Sequence, residues 1–259
     1  MTFSSPNSSQ DRASISRKIR LFISERTFAE LVKEISMNGF PLFRRLVGLY
    51  FDKRFDKTHH VDTCGSIHLK ELTIDSANIE SGVIYDPAPA ATLRKLFSYL
   101  PNDLNDYALI DFGSGKGRAM FVGAEYSFKK IIGIEFAREL HEVGVNNIAN
   151  YKNSKQKCFD IKSVCMDAVN FKILEGKCVF YFFAPFEQNV LSQVIENIEQ
   201  SYRQSPRSMV ILYITDPTTN PIPSDEIKNC GIFSQIRAES LPFDIAQRYT
   251  MYYEIYESK

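Results

Sequence analysis

The chain has 259 residues, enough for one substantial core, and its 44% hydrophobic and 24% charged content is that of a globular domain, not a disordered or fibrous one. With 31 basic and 31 acidic residues the formal net charge is zero, so no global field argues for nucleic acid or membrane as a partner. The five cysteines are odd in number and lack CxxC spacing, which indicates neither a disulfide framework nor a zinc site. No run approaches the ~18 apolar residues of a membrane span. The opening MTFSSPNSSQDRAS lacks an apolar signal-peptide core, and the expected location is cytoplasmic.

Charge is uneven along the chain. Residues 1–60 hold eleven Lys/Arg against six Asp/Glu, leaving twenty against twenty-five for the rest. After a polar lead, Ile15, Ile19 and Phe22 fall on one helical face. Thr27-Phe28-Ala29-Glu30 fits a capping box, and Phe28, Leu31, Val32 and Ile35 line the helix it opens. Gly39 breaks that helix and Pro41 suits the start of another. There Leu42, Phe43, Leu46, Val47, Tyr50 and Phe51 form an apolar stripe, expected to pack on the following domain, with Arg44, Arg45, Lys53 and Arg54 between them. Residues 56–84 read as a polar loop. His59, His60, Asp62, Cys64 and His68 lie close in sequence but lack paired ligand spacing, so no metal is expected.

Tyr85-Asp86-Pro87-Ala88-Pro89-Ala90 is held extended by its alternate prolines, and a helix over residues 91–100 follows. The stretch from Ala108 to Glu135 then reads as a buried strand (108–112), a glycine turn, a helix (about 116–126) and a second strand (131–135). Asp111 precedes Gly113, Gly115 and Gly117 at alternate positions, where the backbone can turn sharply and admit a ligand without meeting a Cβ. Glu135 stands at the next strand tip, about twenty residues on, where such units place an acid for a ribose diol. A P-loop would need a second upstream glycine and a hydroxyl after Lys116. A dinucleotide fingerprint would need its third glycine at Arg118.

A helix is expected over 138–150, a strand over 161–165 ending near Asp167, and a central buried strand at CVFYFF (178–183), which runs into Phe183-Ala184-Pro185-Phe186. A helix over 187–204, a strand over 209–215, a turn-rich loop over 216–223 and two alternating runs (232–241 and 249–256) around a turn containing Pro242 complete the pattern. Three acids, Asp111, Glu135 and Asp167, thus stand at three successive strand ends, where open α/β sheets bind ligands.

The acid-x-Gly-x-Gly-x-Gly motif DFGSGKGR, followed by IIGIEF and preceded by a Tyr/Pro segment, resembles class I S-adenosylmethionine (SAM) methyltransferases over about residues 83–256. Within that family it is similar to an uncharacterised bacterial branch, distantly similar to class I protein-lysine methyltransferases. The resemblance implies a doubly wound α/β fold: a seven-stranded, mostly parallel sheet with a C-terminal antiparallel hairpin. It also implies a division into a helical N-terminal extension (1–82) and a SAM-dependent methyltransferase domain (83–259). Asp111, Gly113, Ser114, Gly115 and Gly117 would bind the amino-acid tail of SAM, Glu135 and Phe136 the ribose end, and Asp167 the adenine. Tyr85, Phe183, Pro185 and Phe186 would frame the methyl-transfer channel. Ala184 stands where amino-directed methyltransferases often place Asn, Asp or Ser, before Pro and an aromatic, to hold the target nitrogen. Protein lysine ranks first among acceptors, a small metabolite second and RNA third, for want of a basic-aromatic stripe. The rival reading is a SAM-binding or regulatory protein of the same fold without catalysis; a dehydrogenase is more remote.

Overall fold

The strand YALIDF, β1 (Tyr107–Phe112), is buried at every position, as a strand covered on both faces requires. It pairs in parallel with β2 (Lys130–Glu135) on one side and β4 (Lys177–Phe183) on the other. Outside these lie β3 (Ile161–Cys165), parallel to β2, and β5 (Met209–Thr215), parallel to β4. The strand β7 (Tyr252–Ser258) runs antiparallel between β5 and β6 (Phe233–Ser240). The order is β3-β2-β1-β4-β5-β7-β6, the seven-stranded, mostly parallel sheet with an antiparallel end that the sequence led us to expect. The structure, a computed structural model, describes residues 41–68, 72, 85–184, 186–215, 225–240 and 251–259, with side chains from residue 47 onward. The expected helices before residue 41, the loop over 216–223, the turn at Pro242 and Pro185 lie outside the described residues.

Helices cover both faces. Alternation along β1 sends Leu109 to one side, where α2 (Ala90–Phe97) and α3 (Arg118–Gly123) contribute Leu93, Leu96, Phe97, Met120 and Phe121. Ile110 and Phe112 go to the other side and meet Leu191, Val194, Ile195 and Ile198 of α5 (Gln188–Gln204). α4 (Arg138–Asn150) links β2 to β3, and its bounds, like those of β3 and β5, are as expected. A short helix that the sequence reading did not foresee, α6 (Asp225–Asn229), precedes β6. α3 is shorter than expected because the glycine turn consumes residues 113–117. It stops at Gly123 because the Ala124 carbonyl is taken by the amides of Lys157 and Cys158. No helix among the described residues is long and apolar enough to cross a membrane.

The helix α1 (Pro41–His59) corrects two expectations. It runs on to His59, so residues 56–59 are not loop. Its inner face also does not include the end of the apolar stripe: Tyr50 and Phe51 are 59% and 46% exposed, whereas Asp52, Phe55, Asp56 and His59 are buried, and the side chains of Leu42, Phe43 and Leu46 lie outside those described. The reason lies on α3, at whose first residue Arg118 is 2% exposed. Its guanidinium pairs with Asp52, reaches Asp56 at 3.5 Å, donates to Thr63 Oγ1 and lies over the Phe55 ring. Acids spaced four apart share one helical face, and a buried cation dictates which face turns inward. His59 Nδ1 lies 3.0 Å from the Lys152 carbonyl and its ring packs on Phe55 and Tyr151, a packing role and not a metal ligand.

Replacing Arg118 by Ala would leave two carboxylates buried without their cation. We expect a loss of about 3–5 kcal/mol in urea unfolding; a loss within ~0.5 kcal/mol, typical of surface changes, would refute the pairing.

Candidate functional site

The strand order reverses between β1 and β4, and at such a switch point the carboxyl ends of the strands open a crevice. The turn leaving β1 lies there. Gly113, Gly115 and Gly117 have φ of 76°, 52° and 96°, a region that costs an L-residue about 1–2 kcal/mol. The amides of Gly113 and Ser114 both donate to the Ile134 carbonyl, at 2.9 and 3.0 Å, which ties the turn to β2. Glu135 closes the arrangement from below. Its Oε2 accepts from the Gly115 amide at 2.7 Å and its Oε1 from the Ala137 amide at 2.9 Å, and the Phe136 amide also bonds to it. A carboxylate has about four acceptor sites, so these bonds orient Glu135 without exhausting it.

Asp111, on the same face of β1 as Leu109, is 2% exposed, and its Oδ2 has no hydrogen-bond partner. The Ser114 hydroxyl and the hydroxyl of Tyr181, which stands opposite Asp111 in the β1–β4 register, are likewise buried and without partners. Such groups cost stability, about 1–3 kcal/mol each when left unmade, and three together mark a place built for something polar. Burial, reinforced by the charge of Glu135, pushes the Asp111 carboxyl up to about 8. Burial pushes Glu135 up to about 7 against the opposing effect of its backbone amides. The nearby cations do not relieve these acids. Lys116 Nζ reaches Asp62 Oδ1 and the Cys64 carbonyl, each at 3.2 Å, and Arg118 is turned towards α1. Among the described residues, the turn therefore presents acids, and its own cations are turned away from them.

The other expected site residues fall around this turn. The Tyr85 ring lies against it, so close that a Cβ on Gly115 would come within 2.2 Å of Tyr85 Cε2. The Tyr85 hydroxyl donates to the Thr63 carbonyl at 2.7 Å, so the ring and not the hydroxyl faces the glycines. Phe183 packs on the α2/α3 side of the sheet and Phe186 on the α5 side. The intervening Ala184 is buried with φ 32°, a strained conformation for a residue with a Cβ. Asp167 accepts from the Val169 amide at 3.0 Å and caps the 3-10 turn Ala168–Asn170 just beyond β3. No group of His, Cys, Asp and Glu among the described residues could hold a metal.

Sequence reasoning missed Tyr181, hidden within an apolar run, and the cluster of Asp52, Asp56, Thr63 and Asn147, which only tertiary contacts bring to the turn. The spacing of Asp52 and Asp56 on a basic helix was the one available signal.

The two raised carboxyls bind protons more readily in the folded chain than in the unfolded one. Their contribution to stability is complete below the usual carboxylate range and is lost as pH rises through about 7 and about 8. The urea midpoint of the ligand-free protein is expected to fall as pH rises from about 5 to about 8, and Asp111→Asn to flatten that fall. A midpoint that rises over this range would contradict the geometry.

Comparison with known proteins finds no matching family model and no matching curated protein. Among solved structures, the chain is similar to a putative methyltransferase, yhhF, from Escherichia coli (16% identity, 73% of this chain and 91% of that one, TM-score 0.47). It is also similar to an RNA methyltransferase from Salinibacter ruber in complex with S-adenosyl-L-homocysteine (16% identity, 67% and 92%, TM-score 0.43). A third is a ribosomal protein L11 methylase from Lactobacillus delbrueckii subsp. bulgaricus (11% identity, 68% and 80%, TM-score 0.46).

Proposed function

We propose that this protein is a SAM-dependent methyltransferase whose cofactor lies over the glycine turn at the end of β1. One observation carries the reading: beneath a turn of left-handed glycines stand two buried acids, while Lys116 and Arg118 are committed elsewhere. A pyrophosphate would bring negative charge onto Asp111 and Glu135, which repels it. A ligand with an ammonium, a sulfonium and a ribose suits the same groups. Asp111 Oδ2 takes the ammonium, in whose place a proton sits in the ligand-free protein, and Ser114 Oγ meets the carboxylate. Glu135 uses its remaining acceptor site for a ribose hydroxyl beside Phe136, and Asp167 stands at the adenine end. The cofactor supplies an electrophilic methyl group for in-line transfer, and the chain's own residues orient donor and acceptor and exclude water.

The acceptor side is formed by Tyr85, Phe183 and the segment Ala184-Pro185-Phe186. None of the described residues among these is a carboxylate or histidine that could serve as a base, which suits an amine that loses its proton on burial beside a cation. A protein lysine therefore leads the acceptors, ahead of a small metabolite and RNA. Ala184 favours a second reading: with no polar side chain at the tip of β4 to hold a target nitrogen, the protein binds SAM as a sensor or regulator without transferring the methyl group.

Calorimetric titration tests the cofactor. S-adenosylhomocysteine is expected to bind at micromolar concentration and NAD not at all. Because the ammonium selects ionised Asp111, affinity should rise from about pH 6 to about pH 8 with release of a proton, visible in buffers of different ionisation enthalpy. Glu135→Gln is expected to weaken binding about ten- to hundredfold, the worth of charge-assisted hydrogen bonds. Binding of NAD in preference, or of neither ligand, would end this reading. Labelled-methyl transfer to protein, small-molecule and RNA pools then separates enzyme from sensor.

A further inference from the structure

Arg118 occupies the position where a phosphate-binding turn would have a small residue, and its guanidinium does not enter the ligand crevice. It is buried with Asp52, Asp56 and Thr63, the last wholly inaccessible although its segment has no regular secondary structure. Asp56 explains that burial. Its carboxylate accepts from the Thr63 amide at 2.8 Å, the Thr63 hydroxyl at 2.6 Å and the Cys64 amide at 2.7 Å. An acid in the last turn of a helix opposes the helix dipole, so its place there answers to these bonds and not to the stability of α1. The strap 61–64 is fastened a second time by Asn147 on α4. The Asn147 side chain accepts from the Asp62 amide at 2.8 Å and donates to the carbonyls of Asp62 and Lys116 at 2.9 and 3.0 Å. The strap is thereby tied to the glycine turn itself. From Thr63 the connection continues to the Tyr85 hydroxyl, and Tyr85 pairs backbone to backbone with Ile67 at 3.0 Å in both directions. The ring at the end of this chain of contacts is the one pressed against Gly115, whose amide orients Glu135.

A buried ion pair is weak evidence of a stabilising role, since apolar residues of similar volume often do as well. What this one supplies is a fixed place for Tyr85. We propose that Arg118, with Asp56 and Thr63, is a positioning device that holds the Tyr85 ring as a wall of the ligand site over Gly115, so that residues 52–64 belong to the binding site. The proposal rests on the SAM reading above for the identity of the ligand, but not for the placement of Tyr85. Arg118 is a positioning residue: it touches neither cofactor nor acceptor.

The test uses the full-length chain with Thr63→Val, Arg118→Lys and Thr63→Ser. Thr63→Val removes the hydroxyl between Arg118 and Asp56 but leaves the charges paired, and Thr63→Ser restores it. Arg118→Lys keeps the charge but loses the fork that reaches several partners. Amide hydrogen exchange at Cys64 and Tyr85, with β1, β4 and β5 as internal references, reports the strap in the ligand-free protein. Calorimetry with S-adenosylhomocysteine reports the site. The expected result is faster exchange at Cys64 and Tyr85 alone, with about tenfold weaker binding for Thr63→Val and Arg118→Lys, and wild-type behaviour for Thr63→Ser. Should Arg118→Lys fail to fold, Thr63→Val decides alone. Unchanged exchange, or unchanged affinity in a variant with loosened exchange, overturns the proposal. If wild type itself does not bind S-adenosylhomocysteine, the cofactor reading fails, and exchange alone decides whether Arg118 places Tyr85.

Discussion

Two carboxylates beneath the glycine turn, Asp111 and Glu135, are buried and pair with no cation among the described residues, and the surrounding structure answers to that constraint. Their burial raises both, to about 8 and about 7, and the charge of Glu135 adds to the effect on Asp111. A site of this kind is unfavourable when empty and repels phosphates. It is relieved by a proton or by a ligand that brings positive charge together with hydroxyls. The glycines serve the same end: the left-handed φ of Gly115 brings its amide onto Glu135, and the missing Cβ lets the Tyr85 ring lie against the turn.

The sheet makes such a site tolerable. Around the turn the strands β1, β4 and β5 are almost wholly buried and aliphatic or aromatic, with Leu109, Val179, Leu212 and Ile214 on one face and Ile110, Phe180, Phe182 and Ile211 on the other. Fully burying a side chain of this type contributes about 1.5–3 kcal/mol, so a core of this extent offsets the unpartnered oxygens of Asp111, Ser114 and Tyr181 and the strained backbone of Ala184. These unfavourable features gather at the carboxyl ends of β1 and β4, where the strand order reverses. Local conflict concentrated at one place within an otherwise consistent fold is the usual mark of a functional site.

The helix α1 is joined to that site by polar contacts. Lys116 and Arg118, which sit in the turn motif and by sequence alone could have served a phosphate, are both drawn to the segment between Asp52 and Cys64. The same contacts that give α1 its inward face thus remove positive charge from the ligand crevice. The inward face of α1 and the turning of Lys116 and Arg118 away from Asp111 and Glu135 are two results of one set of ion pairs.

Much of the architecture was legible in the sequence. Strand and helix periodicity, the apolar runs YALIDF and CVFYFF, and the acid and glycine spacing determine the βα alternation, the buried central strands and the place of the turn, because these depend on local pattern and on burial. Asp111, Gly113, Gly115 and Glu135 come together at that turn as their spacing implied. The inner face of α1, the split of Phe183 and Phe186 between the two sides of the sheet, and the role of Tyr181 were not legible. Two of these depend on a partner distant in the chain, Arg118 for Asp52 and Asp56 and the β1–β4 register for Tyr181, and the third accompanies a positive φ at Ala184 that no local pattern announces. Hydrophobic patterning determines which segments are buried, but a buried charge takes the face that brings it to its counter-charge, and only the tertiary structure decides where that counter-charge lies.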